Sequence, residues 1–428
     1  MMNLKLQRII QKLEKKFPRK IDLTLDRQFK ILKKLGNPQD KLERVIAVVG
    51  TNSKYTLANV TSSILNEAGH KCNLFLSPHL QSYTERFIYN NNEISEENLI
   101  ELLEDIEKII GDNPCTLFEA LTCAYLKYCE QFKQNILIIE SGLMHYYDSS
   151  NVFKKNLASI IGTIGLDHLQ WIKNKTIDGV IYEKTAKLLN SNIFVNKQEN
   201  KEITSKIEKA LENNQSNKYF FGKDFNILKA ENGFIQYQDQ FGEIILPEPK
   251  HILGEHNLWN ISTAIAAARK LFNVKDEQIK KAVTSIKLKG RLEEIKSGGN
   301  LNKFSKNKIY LDIAHNENAA RALRNWIDSS LSQFHLIIGM MKEKQHFDFG
   351  SALFKGSDKI KSVTLIDIPN TPGAISKENL KKKFSNLYKN IKTKENIFDA
   401  IKSLNARLDD KILITGSAYL CGEVLNLN

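Results

Sequence analysis

A chain of 428 residues with 42% hydrophobic and 26% charged residues has the composition of a packed globular protein of two or three domains. Its formal net charge of +13 comes from lysines scattered along the whole length, so no nucleic-acid surface is expected. The absence of any apolar run of about 18 residues argues against a membrane-spanning or secreted protein, and five cysteines without a C-x-x-C pair argue against a disulfide framework or a zinc site, which leaves a reducing cytoplasm as the expected location.

The N-terminal stretch 1–17 is basic and amphipathic. Beyond it, strand-like apolar runs recur at Val45 to Val49, Asn73 to Leu76, Ile136 to Ile139 and Ser159 to Ile164, each followed by a helical pattern. That rhythm predicts a parallel sheet with helices on its faces. Short, polar, turn-rich pieces at Tyr219 to Leu228 and Gly233 to Leu246 suggest a small β insertion, and alanine periodicity predicts a helix over Asn257 to Leu271. The polar stretch from Ser297 to Asn307 reads as a domain boundary or an exposed loop. Strands resume at Ile309 to Leu311, Phe334 to Ile338, Val363 to Ile366 and Ile412 to Thr415, predicting a second α/β domain. The expected division is 1–296 and 297–428.

The first predicted strand runs into Gly50-Thr51-Asn52-Ser53-Lys54-Tyr55-Thr56 and then a helix. Strand, loop and helix in that order place backbone N–H groups and a helix N-terminus toward an anion, with Lys54 as a point charge and Thr56 as a hydroxyl for Mg²⁺. Read alone, the segment fits an ordinary turn with a capping threonine equally well, since the full G-x-x-x-x-G-K-[ST] pattern is not met. Three other strands also end in polar residues: Ser77, Glu140 and His168. The carboxyl ends of parallel strands line one crevice, so the three would converge on a Mg²⁺ ion there. Singly, each also reads as a turn or capping residue.

The ordered segments Leu35-Gly-Asn-Pro-Gln39, Gly50 to Thr56, Ser77-Pro-His-Leu80, Glu140-Ser-Gly-Leu143, Asp148-Ser-Ser-Asn151, Gly165-Leu-Asp-His168, Gly254-Glu-His-Asn257, Gly290-Arg-Leu-Glu293 and Asp312-Ile-Ala-His-Asn316 resemble the folylpolyglutamate synthase / dihydrofolate synthase family, relatives of the Mur ligases, from about Leu35 to the C-terminus. The resemblance implies an α/β protein with a P-loop ATP-binding parallel-sheet domain of Mur ligase type, followed by a smaller Rossmann-like α/β domain. It implies an ATP-dependent ligase that adds L-glutamate to dihydropteroate or a folate-type acceptor through an acyl phosphate. Residues 50–56 would hold ATP, with Asn260, Arg291 and Asp312 also contacting nucleotide. Thr56, Ser77, Glu140 and His168 would hold metal, two Mg²⁺ ions being expected. Lys184 would carry a carbamate made with CO₂, and Asp312 and His315 would reach the reacting groups as the two domains close. A cytoplasmic monomer is expected.

The sequence departs from the family pattern at four places. Ser53 and Tyr55 stand for two loop glycines, Met144-His145-Tyr146 for a glycine-glycine-arginine segment, and Ile313 for the glycine of the D-x-A-H segment. A diverged Mur-type ligase for another carboxylate, and a weakly active paralogue, are the competing readings.

Overall fold

The computed structural model describes residues 3–17, 22–229, 233–295 and 298–428. The N-terminal amphipathic stretch forms a helix, Leu4–Lys15, whose N-terminus is capped by Asn3. Leu6, Ile9, Ile10 and Leu13 recur at helical spacing and are buried, because that stripe packs on the helices Glu96–Ile110 and Leu117–Cys129.

The main sheet of the first unit uses β1 (Val45–Val49), β2 (Cys72–Phe75), β3 (Phe87–Tyr89), β4 (Asn92–Glu93), β5 (Ile136–Glu140), β6 (Ala158–Ile161), β7 (Asn192–Val195) and β8 (Asn217–Phe220). Their order is β4-β3-β2-β5-β1-β6-β7-β8, with β2, β5, β1, β6, β7 and β8 parallel to one another and the pairs β2·β3 and β3·β4 antiparallel at one edge. All five residues of β1 are buried, as a central parallel strand covered on both faces requires. The chain crosses from β5 on one side of β1 to β6 on the other. That reversal is the switch point at which open α/β sheets bind ligands.

A separate antiparallel sheet, β9 (Phe225–Lys229), β10 (Phe234–Asp239) and β11 (Gly242–Pro247), realises the expected insertion. The turn-rich piece Tyr219 to Leu228, expected to lie in that insertion, is shared between two sheets, however. A turn at Gly222, with φ +83°, ends β8 in the main sheet and starts β9 in the small one. Likewise the expected strand to Ile164 stops at Ile161, where Gly162 donates to the Val49 carbonyl at 2.7 Å and the chain leaves the sheet.

The second unit has β12 (Arg291–Glu294), β13 (Lys308–Asp312), β14 (Phe334–Ile338), β15 (Ile360–Leu365), β16 (Ile391–Thr393) and β17 (Lys411–Thr415), ordered β12-β13-β17-β14-β15-β16. Only β12 runs antiparallel. The compact units do not follow a single cut after residue 296. The first holds Met1–Ile164, His168–Glu248 and Trp259–Thr284, and the second holds Gly165–Asp167, Pro249–Leu258 and Ser285–Asn428. Pairing of β12 with β13 is what draws the residues before 297 into the second unit. Within the stretch expected to be a boundary or exposed loop, Leu301 is fully buried, and Asn300 Nδ2 donates to the Leu427 carbonyl at 2.9 Å. No helix among the described residues is long and apolar enough to cross a membrane.

Candidate active site

Parallel pairing aligns the strand ends: Val48 of β1 lies beside Glu140 of β5, and Val49 lies beside Ile161 of β6. Just past these ends two stretches of backbone approach closely. Gly50 has φ +147°, and a Cβ there would stand 3.1 Å from the Gly162 Cα. A Cβ on Gly162 would be 2.5 Å from the Asn52 carbonyl oxygen. Glycine is therefore needed on both sides, and the contact is secured by the Thr51 and Asn52 amides, each donating to the Thr163 carbonyl at 3.0 Å.

Ser53 then turns the chain with φ +74° and ψ −16°, a left-handed conformation that glycine adopts without penalty and serine does not. The departure at this position thus retains the glycine-like backbone. Tyr55 instead lies in the first turn of the helix Lys54–Glu67, where no glycine is required. Thr56, in the same turn, is buried.

Lys54 Nζ folds back on its own loop, donating to the carbonyls of Gly50 at 3.1 Å and Thr51 at 3.3 Å, and lies 4.0 Å from Glu140 Oε1. Glu140 is only 2% exposed, and its Oε2 accepts the Ser77 amide at 3.0 Å. Lys54, Ser77 and Glu140 are therefore gathered at the ends of β1, β2 and β5. His168, half-buried with φ +58°, opens the short helix Leu169–Trp171 after β6.

Groups of three His, Cys, Asp or Glu able to hold a metal are absent among the described residues. Of the expected donors, the structure ties Ser77 and Glu140 directly together, with one buried carboxylate between the strand ends. That suits Mg²⁺, which keeps several waters and binds through one or two carboxylates plus substrate phosphate, better than it suits a metal held in an all-protein cage.

Lys184, on the helix Ile177–Thr185, is 2% exposed rather than a surface partner of Glu183. Its Nζ donates to the Gly50 carbonyl at 2.9 Å and the Leu143 carbonyl at 3.1 Å, so the amine sits against the base of the loop 50–53. The segment after Glu140 is tied down by polar bonds. Asp148 accepts from the Leu143 amide at 3.0 Å and from Ser150 Oγ at 2.6 Å, and Ser141 Oγ lies 3.0 Å from His145 Nδ1. Burial pushes His145 down to about 4, with Lys184 adding to the effect and Asp148 opposing it. Met144, in place of a family glycine, packs into the apolar cluster with Val49, Ile161 and Ile164.

On the far side of β1, residues that sequence reading passed over join the ends of β6 and β7. Gln198 Nε2 donates to the carbonyls of Gly162 at 3.2 Å and Asn196 at 2.7 Å, while its Oε1 accepts the Ile164 amide at 2.9 Å. Asn196 Nδ2 donates to Asn260 Oδ1 at 2.7 Å, which fixes Asn260, on the helix Glu255–Leu271, to the carboxyl end of β7. Lys197 Nζ lies 3.9 Å from the Trp259 ring centroid. The polar run Asn196-Lys197-Gln198 directly after a strand carried the same signal as Ser77 and Glu140.

In the second unit, Arg291 pairs in register with Asp312, and a bulge follows with Leu292 at φ +49°. Asp312 accepts the Leu292 and Ala314 amides, both at 2.9 Å. Burial pushes its carboxyl up, against the opposing pull of Arg291, the two amides and His315. His315 Nδ1 lies 2.9 Å from the Ile313 carbonyl oxygen, and its Nε2 lies 3.4 Å from Asp167 Oδ2, an oxygen also within 3.3 Å of Lys344 Nζ. Ile313 has no positive φ, so the backbone does not demand the glycine it replaces. Burial, with Arg291 nearby, pushes His256 down to about 4.

Comparison with known proteins agrees with this architecture. Residues 297–427 match the family of the dihydrofolate synthetase C-terminal domain. The chain is 27% identical over 403 residues to a dihydrofolate synthase/folylpolyglutamate synthase of Buchnera aphidicola, covering 93% of this chain and 89% of that one. It is 26% identical to the folylpolyglutamate synthase of Lacticaseibacillus casei, covering 92% of each. Among solved structures, Escherichia coli FolC in complex with DHPP and ADP superposes with a TM-score of 0.85 at 24% identity, covering 98% of this chain and 97% of that one. The Yersinia pestis bifunctional folylpolyglutamate synthase/dihydrofolate synthase complexed with AMPPNP and Mn ion gives 0.83 at 22%, covering 98% and 97%. The chain shares the fold of these structures, with a parallel-sheet unit and a second α/β unit. Over more than nine-tenths of its length the chain is similar to folylpolyglutamate synthases and dihydrofolate synthases, and its residues 297–427 match the family of the dihydrofolate synthetase C-terminal domain.

Proposed function

We propose that this chain is an ATP-dependent carbon–nitrogen ligase that joins the amine of L-glutamate to the carboxylate of dihydropteroate, of a folate, or of both. The observation that carries the reading is the cluster of Lys54, Glu140 and Ser77 at the switch point of the sheet, on a chain similar to such synthases over more than nine-tenths of its length.

An acceptor carboxylate oxygen attacks the γ-phosphorus, the bond to the ADP oxygen breaks, and an acyl phosphate forms. The glutamate nitrogen then attacks the acyl carbon, phosphate leaves with the C–O bond, and the nitrogen loses its proton. Anion meets anion in the first step, so Lys54 lowers that barrier by standing at the loop that faces phosphate. Thr56, Ser77, Glu140 and His168 would hold Mg²⁺, which supplies charge neutralisation on the phosphates. Asn260, Arg291 and Asp312 are assigned to nucleotide, and Asp312 and His315 to the reacting groups.

Lys184 is assigned a carbamate. Its buried amine reaches the Gly50 and Leu143 carbonyls at the base of the loop assigned to ATP, and only a neutral amine adds CO₂. The five free, buried cysteines fit a cytoplasmic enzyme, and we assign it as a monomer. The deciding experiment is ADP release by the purified protein with ATP, Mg²⁺ and L-glutamate, offering dihydropteroate and a reduced folate monoglutamate in turn. Turnover with either supports the reading and names the acceptor. Turnover with neither, alongside intact ATP binding, overturns it.

A further inference from the structure

A cleft of about 530 Å³ lies between the turn 222–224 after β8, the hairpin 238–241 that joins β10 to β11, and the C-terminal half of the helix Glu255–Leu271. All three belong to the first unit. The volume is that of a small-ligand site, on the order of 300–1,000 Å³. Arg269 ties the hairpin to the helix, its Nη1 donating to Asp239 Oδ1 at 3.0 Å and its Nη2 to the Phe241 carbonyl at 3.2 Å. The floor is aromatic, since the Phe194 and Tyr219 rings stack 4.9 Å apart at 17°, and Phe241 adds a ring that is 52% exposed. Lys270 Nζ stands between rings, 5.2 Å from the Tyr219 centroid and 5.9 Å from that of Phe241. Lys223 lines the same cleft, and neither lysine is paired with a carboxylate among the described residues. The acids at the cleft are already engaged. Asp224 Oδ2 accepts the Phe220 amide at 2.7 Å, and Asp239 accepts the Tyr237 hydroxyl and the Phe241 amide, both at 2.8 Å, besides Arg269. Asn260 and Lys270 share one helix, whose rise separates them by about 15 Å, so the cleft is distinct from the cluster of Lys54, Ser77 and Glu140.

We propose that this cleft is a second ligand site, independent of the ligase reading, and that it takes a purine nucleoside monophosphate. A lone lysine over a ring is ordinary surface chemistry. Two unpaired ammonium groups around one cleft with an aromatic floor call instead for an anion that has a flat face. The base enters between Tyr219 and Phe241, where it takes the place now held by the Lys270 ammonium, and the long flexible stems of Lys270 and Lys223 let both charges turn to the phosphate. A phosphate monoester carries a charge of about −1.5 to −2 near pH 7, which two ammonium groups match. Gln238 and Gln240, exposed on the hairpin, present amide donors and acceptors to the edge of a base. A simple aromatic carboxylate would leave that edge recognition unused.

The test is calorimetric titration of AMP into the full-length protein and into Lys223→Ala/Lys270→Ala, Phe241→Ala and Lys54→Ala, joined to photolabelling of the wild type with azido-AMP and peptide mapping. Lys223, Lys270 and Phe241 are exposed, so the cleft variants should melt as the wild type does. The lysine pair and Phe241→Ala should each weaken AMP about tenfold, the first by removing charge and the second by removing a stacking face, while Lys54→Ala leaves AMP affinity within about twofold. The label should fall between residues 219 and 241 or on the helix 255–271, and excess AMP should protect against it. Label confined to residues 50–56 would place AMP at the loop after β1 and overturn the proposal. AMP affinity lost in Lys54→Ala but kept in the cleft variants overturns it in the same way. Pyrophosphate that competes as well as AMP would show a patch of cations with no stacking face, and that also overturns it. So does the absence of both heat and label at millimolar AMP.

Discussion

Lys54 and Lys184 are both cations aimed at carbonyls of the same loop, yet their surroundings give them different work. Lys54 lies in the first turn of a helix, 4.0 Å from a carboxylate and with its ammonium on the loop assigned to phosphate. Lys54→Ala empties no core, so the thermal melt should be unchanged while ADP formation falls by about 10²-fold or more. Normal turnover would show that the loop does not serve phosphate. Lys184 is buried between the Gly50 and Leu143 carbonyls, and its assigned role requires conversion to an anion. Lys184→Arg should therefore fail as badly as Lys184→Ala, since guanidinium stays charged and forms no carbamate. A short carboxylate added to the alanine variant should restore part of the activity. A fully active arginine variant would reduce Lys184 to a simple cation.

At the scale of elements, two contacts position the rest. The approach of the β1 and β6 loops depends on Gly162, where a Cβ would meet the Asn52 carbonyl oxygen at 2.5 Å. Backbone cannot swing aside as a side chain can, so Gly162→Ala should displace the loop 50–53 and lower kcat/KM for ATP by about a hundredfold, with a smaller effect on stability. Wild-type nucleotide kinetics in that variant would remove the loop contact from the argument. The helix Leu117–Cys129 begins with a capping box, in which Thr116 Oγ1 accepts the Glu119 amide and Glu119 accepts the Thr116 amide. Glu119, 3% exposed, also takes both Arg27 Nη2 at 2.8 Å and Nε at 3.3 Å. Glu119→Ala breaks the cap and leaves Arg27 without this partner, and should cost about 3 kcal/mol in chemical denaturation. Glu119→Gln, which keeps a cap acceptor, should cost less. An alanine variant as stable as the wild type would mean that solvent replaces both roles.

For the whole molecule, the buried His145 and the half-buried His256 set a direction for acid sensitivity. His145 and His256 are held down to about 4 from an ordinary value of 6.5, chiefly by burial. Below that ordinary value the unfolded chain binds protons that the folded chain refuses. Their contribution to stability is therefore complete above about pH 6.5 and is lost as pH falls from there toward 4. Asp312, pushed up by burial, works the other way, since its folded form keeps a proton that the unfolded chain releases. Thermal melts from pH 7.5 to 5 should fall, and His145→Gln/His256→Gln should flatten the slope. A slope unaltered in that double variant would place the sensitivity in other groups.

How much of this was legible in sequence follows from the range of the interactions. The continuous apolar run of β1, the helix after the loop and the amphipathic stripe of Leu4–Lys15 are written in local runs and a period of 3.6, which depend on neighbours a few positions away. Strand-end placement of Ser77 and Glu140, the β insertion and a second α/β unit follow from the same local periodicities. Other features depend on distant partners. Lys184 reaches a carbonyl 134 positions earlier, and Gly162 meets a loop more than a hundred positions before it. The polar string Glu183-Lys184 looks like surface until the sheet brings β1 and the 143–146 segment against it. β12 belongs to the second sheet only because β13 offers it an edge, and Ser53 holds its left-handed φ where local preference favours glycine. The sequence by itself determined which segments are strands, helices and turns, since side-chain sterics and alternation act locally. Only the tertiary structure decided which amine is buried, which carbonyls meet it and where the units divide, because burial is a property of the assembled sheet and of no segment alone.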